Sequence, residues 1–430
     1  MRKLPVIIIL ILILLGGGAY WYFFIHVVPT SSSGEIAGNN PPTGFNPFGR
    51  NPVSSGNNSA GSNNTGNTVV ISTSTPAAPI PALRLLSDSP IGGYSASTTA
   101  TTTVVRWIDR GRGNILEARS DTLTIQTISN TLLPRVYSSV WNKNLNAFIA
   151  SLLPDNASAP TTIYAGILKQ PTQPTGTSTL SNASTLAPYV LKGKSLPSNV
   201  IGYAVSPKRD KVFFLVAENG GSTGYISSFD GTSMTKIFTT PLTELNVDWP
   251  ADNSIALTTK GAADVSGYLY LVDPKTGVWK KAIGPLPGLS ATVSHDGKYA
   301  IASVAGDSNN MITAIFNLQK GTNTDAVIRT LADKCTWGKF YKGLVYCAVP
   351  SQPIAGTYPD DWYKGNVSFT DKIWQVNADT GELHQVASIF DQSDRLIDAF
   401  NLGLDPKDNY LFFMNKNDLS FWSLDLVKNQ

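Results

Sequence analysis

A short apolar run, a polar turn holding an aspartate and a second apolar run recur through the second half of the chain. The phrase reads YAVSPKRDKVFFLV at 203–216, NVDWPADNSIALTT at 246–259, ATVSHDGKYAIASV at 291–304 and LGLDPKDNYLFFMN at 402–415. Apolar stretches of this length bounded by turn residues predict pairs of strands joined as hairpins. The turn aspartates Asp210, Asp252 and Asp296 are 42 and 44 residues apart, and Asp408 lies 112 beyond Asp296. A four-stranded sheet needs about 40–45 residues, so the spacing is the period of a β-propeller blade.

Strand-like runs extend the pattern upstream: 102–109, 114–119 and 123–129 in an early blade, then 136–141, 146–153 and 161–168 in the next. Further blades begin near Val200, Leu245, Leu289, Lys334 and Ile397. DPKTG (273–277) and NADTG (377–381) predict hairpin turns in which Gly supplies a positive φ after a type I turn. The count is about seven blades, and the irregular stretch between 144 and 210 leaves six or eight open. The last blade is one strand short. Residues 83–86 (LRLL) are expected to supply it, which would close the ring and remove an exposed edge.

Residues 6–28, VIIILILILLGGGAYWYFFIHVV, form an apolar run long enough to cross a bilayer as a helix. Arg2 and Lys3 precede it, and no Lys or Arg follows until Arg50. This predicts a single-pass signal anchor with a cytoplasmic N-terminus and an extracytoplasmic head, periplasmic or at the cell surface. Tyr20, Trp21 and Tyr22 fit its outer interface. A cleaved signal peptide is the competing reading, but the run continues past Gly17 and Ala19 through Ile25. Residues 29–81, rich in Ser, Asn, Gly and Pro, read as a flexible linker. The head is then 82–430, and the lipid bilayer is the partner of residues 6–28.

Charged residues make up only 15% of the chain and the net charge is +3. No stretch concentrates Lys and Arg with aromatics, so nucleic acid is not an expected partner, and an anionic membrane surface held by a polybasic patch is not expected for the same reason. Phrases such as VSHDGKYAIA and LDPKDNYLFF resemble the TolB-type, WD-repeat-like propellers of bacterial extracytoplasmic proteins, over roughly 83–426. That resemblance implies an all-β propeller and a binding scaffold that often acts through protein partners. It says little about function, because these residues build the hairpin between inner strands.

Candidate chemistry is thin. GGSTG at 220–224 satisfies G-x-S-x-G around Ser222, but it is read as a loop between two strands with no helix after it and no suitable His nearby. Of three His, His26 lies in the apolar run, His295 in the SHDG turn and His384 in a strand near a sheet edge. They make no zinc site, and no metal or cofactor is expected. Cys335 and Cys347 are equidistant from Tyr341, so a symmetric hairpin would set them face to face for a disulfide; two buried thiols are the alternative. Trp141, Trp249 and Trp337 recur before the inner turns and read as packing residues between blades.

The insertion PSQPIAGTYPDDWYKGNVSFTD (350–371) joins the second and third strands of its blade. In a propeller that loop shares a face with the links between blades. Tyr358, Asp360, Asp361, Trp362 and Tyr363 are therefore the binding candidates, with Asp307 and Asn309 in a second loop on that face. Trp362 and Tyr363 pinning the loop onto the blade is the competing reading. The expected function is a non-catalytic scaffold for an envelope protein, peptide or glycan. The alternative is an envelope lyase or glycan hydrolase with Asp360 or Asp361 as acid–base.

Overall fold

The computed structural model describes residues 78–156, 161–170, 188–196, 199–307 and 310–429. The apolar run 6–28, the spacer up to 77 and Asn309 lie outside the described residues. Residues 76–430 form one compact unit. Among the described residues, no helix is long and apolar enough to cross a membrane.

The head is all-β: seven four-stranded antiparallel sheets arranged as a β-propeller. Blades 1 to 6 occupy 91–129, 136–195, 200–240, 245–287, 290–325 and 335–388, each with its strands in chain order. First strands of successive blades neighbour one another around the axis. Each second strand is sandwiched between two other blades and is buried on both faces, as in Val212–Glu218 and Tyr410–Asn415. That double burial is why these strands read as unbroken apolar runs instead of alternating ones. Fourth strands face solvent; Thr322–Asp325 is exposed throughout.

Blade 7 is built from both ends of the head. Its strands Ala399–Leu404, Tyr410–Asn415 and Phe421–Asp425 are completed by Leu83–Ser87. Leu83 lies opposite Leu424, Arg84 opposite Ser423 and Leu85 opposite Trp422. The ring is thus closed by the strand expected from LRLL. An unpaired outer edge on the last blade is replaced by an antiparallel ladder.

Apolar clusters fill all seven junctions between blades. Trp141 packs against Ile108 and Ile115 of blade 1, and Trp249 against Phe213 and Leu215 of blade 3. Trp337 donates its indole N–H to the Thr292 carbonyl of blade 5 at 3.1 Å. Cys335 and Cys347 face each other across the first two strands of blade 6 and are joined by a disulfide, with Cα atoms 4.1 Å apart.

Two faces follow from the strand order. The upper face carries the links between blades and the loops from second to third strands. The lower face carries the hairpins from first to second and from third to fourth strands. Gly277 and Gly381 close two of the latter with φ of 71° and 76°.

Leu83 and Leu86 are both buried. Truncating both, Leu83→Ala with Leu86→Ala, is expected to lower stability by at least about 2 kcal/mol in chemical unfolding. Because it frees the edge of Phe421–Asp425, it should also produce concentration-dependent association in light scattering. A monomeric variant of unchanged midpoint would contradict this role for the closing strand.

Candidate functional site

The insertion leaves the upper end of blade 6 and folds back as a short helix, Asp360–Lys364, terminated by Gly365 at φ 79°. It reaches blades 4 and 7. Asp360 Oδ2 accepts the backbone N–H of Ala263 in blade 4 at 2.7 Å. Ser368 Oγ donates to Asn417 of blade 7 at 2.7 Å. Asp361 accepts the Thr357 amide at 2.7 Å and the Asn366 side chain at 3.1 Å, which hold its carboxyl below the usual range.

Tyr358 and Trp362 are buried and pack with Phe369, Leu331 and Met311 beneath the loop. The Tyr358 hydroxyl donates to the Ile354 carbonyl at 2.5 Å. These two aromatics therefore hold the insertion down, and Asp360 and Asp361 spend oxygens on backbone amides. Tyr363 alone of the five lines the cavity described below. Asp307 is exposed in its own loop on the same face, away from that lining.

Under the insertion lies an ionic network that sequence reasoning missed. Lys334, Asp371 and Asp398 are completely buried. Lys334 Nζ donates to Asp371 Oδ2 at 2.8 Å and also to Asp398 Oδ1. Asp398 Oδ2 accepts the Trp362 indole N–H at 2.9 Å and the Phe369 amide at 3.1 Å. Lys334 also sits over the rings of Trp362 and Phe369, at 5.3 and 5.1 Å from their centroids. One cation thus serves two carboxylates. Desolvation pushes the Asp371 carboxyl up to about 6; Lys334 opposes the rise and the charge of Asp398 adds to it. The legible trace was an Asp inside the apolar run LIDAF, at the point where a link enters an inner strand.

Beside the insertion a cavity of about 580 Å³ opens along the axis. Its walls are the inner strands of blades 4 to 7, and its lining includes Asn246, Asp248, Thr292, Asp333, Tyr363 and Asn401. Asp248 is open to the cavity yet deep inside the ring, so desolvation raises its carboxyl; the Trp249 amide, donating at 2.7 Å, works against that. The Tyr363 hydroxyl donates to Asp333 Oδ2 at 3.0 Å. Desolvation, reinforced by the Asp333 charge, pushes this phenol far up and keeps it protonated. Lys260, also on the wall, is paired with Glu244 at 2.6 Å. Val247, Val293 and Leu402 make much of the wall apolar, and Asp248 and Asp333 are its carboxylates.

Ser222 lies within a strand rather than the loop expected from GGSTG. Asn219 and Gly220, at φ 50° and 76°, make a two-residue turn, so the strand Gly221–Ser227 starts at once. Ser222 is completely buried, opposite Ala217, with no hydrogen-bond partner for its hydroxyl. Nothing there can receive its proton. His295 sits on the lower face near the Pro250 carbonyl; desolvation lowers it to about 4, with Lys339 adding to the effect. Among the described residues, no three His, Cys, Asp or Glu side chains are grouped to hold a metal ion.

No family model matches the chain, and no curated protein matches its sequence. Solved structures similar to it include TolB from Acinetobacter baumannii, 13% identical with a TM-score of 0.39, covering 77% of this chain and 62% of that one. A putative TolB from Agrobacterium tumefaciens is 15% identical, TM-score 0.36, over 52% of this chain and 73% of that one. An oligogalacturonate lyase in complex with manganese is 11% identical, TM-score 0.45, over 78% and 96%. At such identities and TM-scores these are likenesses only; the β-propeller is established by the seven four-stranded sheets themselves.

Removing one member of the buried network strands an opposite charge. Lys334→Ala is expected to cost about 3–5 kcal/mol, measured by chemical unfolding, whereas Phe390→Ala on the exposed rim should change little. Asp371 and His295 are shifted in opposite senses over nearly the same pH window. Asp371, raised in the folded state, makes stability fall as pH rises from about 4 to about 6. His295, lowered in the folded state, makes stability rise over nearly the same window. Asp371→Asn should therefore leave a stability that climbs with pH there, and His295→Gln one that declines, each by at most about 1.4 kcal/mol per pH unit. Parallel profiles in the two variants would refute the assignment.

Proposed function

We propose that the chain is a membrane-anchored, extracytoplasmic, non-catalytic binding scaffold. The acidic axial cavity would take a basic side chain from an envelope protein or peptide. The observation that carries this reading is the pairing of Asp248, deep in the ring, with Asp333 and Tyr363 at the rim of one cavity. A desolvated carboxylate prefers a partner that brings positive charge and hydrogen-bond donors. Asn246 and Asn401 add neutral donors and acceptors on the same wall. The anchor is supported by the length and flanks of residues 6–28.

An acid–base role for Asp360 or Asp361 has less support, since both accept backbone amides and neither lines the cavity. The mechanism of a scaffold is presentation: a closed ring holds the wall residues in fixed relation. The Ser/Asn/Gly/Pro-rich composition of residues 29–81 supports a tether that would set the local concentration of the site at the envelope.

Titration calorimetry with oligo-arginine, oligo-glutamate and neutral oligosaccharide probes tests the reading. Oligo-arginine is expected to bind, with Asp248→Asn and Asp333→Asn each weakening it about tenfold. Oligosaccharide binding in its place would move the assignment to glycans. Arginine binding untouched by both substitutions would overturn the cavity as the site.

A further inference from the structure

The lower face carries a feature that the cavity leaves unused. The first hairpin of blade 6 ends in Lys339-Phe340-Tyr341-Lys342, and both rings stand out from the surface, Phe340 63% and Tyr341 50% exposed. Their centroids are 4.9 Å apart, edge to face. The tip is held rigid from the next blade. Asp408, buried in the hairpin of blade 7, accepts the backbone N–H groups of Lys339, Phe340 and Tyr341, each at 2.9 Å. A carboxylate satisfied by three amides keeps two large apolar side chains in water, where packing would not place them.

Beside the tip the exposed charges are basic: Lys342 on its own hairpin and Lys407 on that of blade 7. Lys143, Lys208 and Lys211 are exposed on the hairpins of blades 2 and 3, while Asp210, Asp252 and Asp296 are exposed on those of blades 3 to 5 and Lys208 pairs with Asp252 at 3.6 Å. Asp405 and Asp408, on the hairpin of blade 7, turn their carboxylates inward as buried caps. These lysines come from blades 2, 3, 6 and 7, one or two from each, so no linear cluster exists. The chain also enters the head on this face. The Ala82 carbonyl accepts the Asp425 amide at 2.7 Å, and the Ile80 carbonyl accepts Lys428 Nζ at 2.9 Å. Tyr410 lies opposite Asp425, and Leu426 donates to Asn409. Entry point, blade 7 hairpin and aromatic tip are thus contiguous.

We propose that the lower face docks on an anionic lipid surface, with Phe340 and Tyr341 at the interface and the surrounding lysines over the headgroups. Aromatics beside lysines suit the boundary between water and lipid. Anionic headgroups attract such lysines. The spacer joins the head on the face that docks, so docking leaves the acidic cavity pointing away from the bilayer. The setting rests on the membrane-anchored reading; the surface itself does not. Tethering raises the local concentration of the head, so modest intrinsic affinity suffices.

The test uses residues 76–430, which form one compact unit, with vesicles of phosphatidylcholine alone or with about one-third phosphatidylglycerol. Co-sedimentation with the anionic vesicles is expected, falling as salt rises. Phe340→Ser with Tyr341→Ser should weaken it about tenfold, and Leu396→Ser, an equally exposed apolar residue on the upper face, should not. No binding to either vesicle, or equal losses in both variants, overturns the proposal. Unchanged thermal unfolding of the double variant shows that the loss is not misfolding. Carbonate extraction of the full chain from membranes reports on residues 6–28 separately; an extractable chain with a vesicle-binding head removes the anchor and keeps the surface.

Discussion

The strand Leu83–Ser87 is held by partners that lie far from it in sequence. Its ladder with Phe421–Asp425 completes blade 7, while Arg84 reaches the other way. The Arg84 guanidinium donates to the carbonyls of Arg119, Thr122 and Leu123 at 3.1, 2.9 and 2.8 Å, all in the outer part of blade 1. One five-residue strand therefore joins the last blade to the first. The apolar cluster at that junction, with Leu86, Trp107, Phe412 and Phe421, depends on it. So does the cavity, whose walls come from four blades and keep their spacing only in a closed ring.

The insertion shows a second dependence, this time on charge. Its Trp362 and Phe369 both donate to Asp398, a residue of the link into blade 7, and Lys334 joins that carboxylate to Asp371. Burying such a network is not a clear gain in stability, because desolvation consumes most of the attraction. It does favour the direction in which the loop lies, since another path would leave Asp398 Oδ2 without the Trp362 and Phe369 donors. Tyr363 reaches the cavity because Trp362 beside it is pinned. The site is thus set by a residue type that contributes nothing to its lining.

Much of the fold was legible, and the reason is burial. Second strands such as 212–218 and 410–415 are covered on both sides, so their apolar runs stand out and recur at the blade period. Strand Leu83–Ser87 was legible because the last blade lacked one. The site was far less so. Tyr358, Trp362 and Tyr363 are alike as sequence, yet two pack inward and one lines the cavity. Asp248 gave no signal beyond a lone carboxylate in the run NVDWPA. Ser222 was misplaced because a two-residue turn leaves almost no loop. Interactions between blades bring together residues that no local pattern connects, and the ionic network and the lysines beside the aromatic tip are both of that kind.

The entry point also sets how the head answers to tension. The chain comes in at the lower end of Leu83–Ser87 and runs upward, antiparallel to Phe421–Asp425. A pull from below, resisted by a guest at the upper mouth, acts along the strand's own axis. The ladder bonds then share the load in shear, whereas a strand peeled from its end would lose them one at a time. The joint that seals the circle is in this way oriented to transmit force without being unzipped by it.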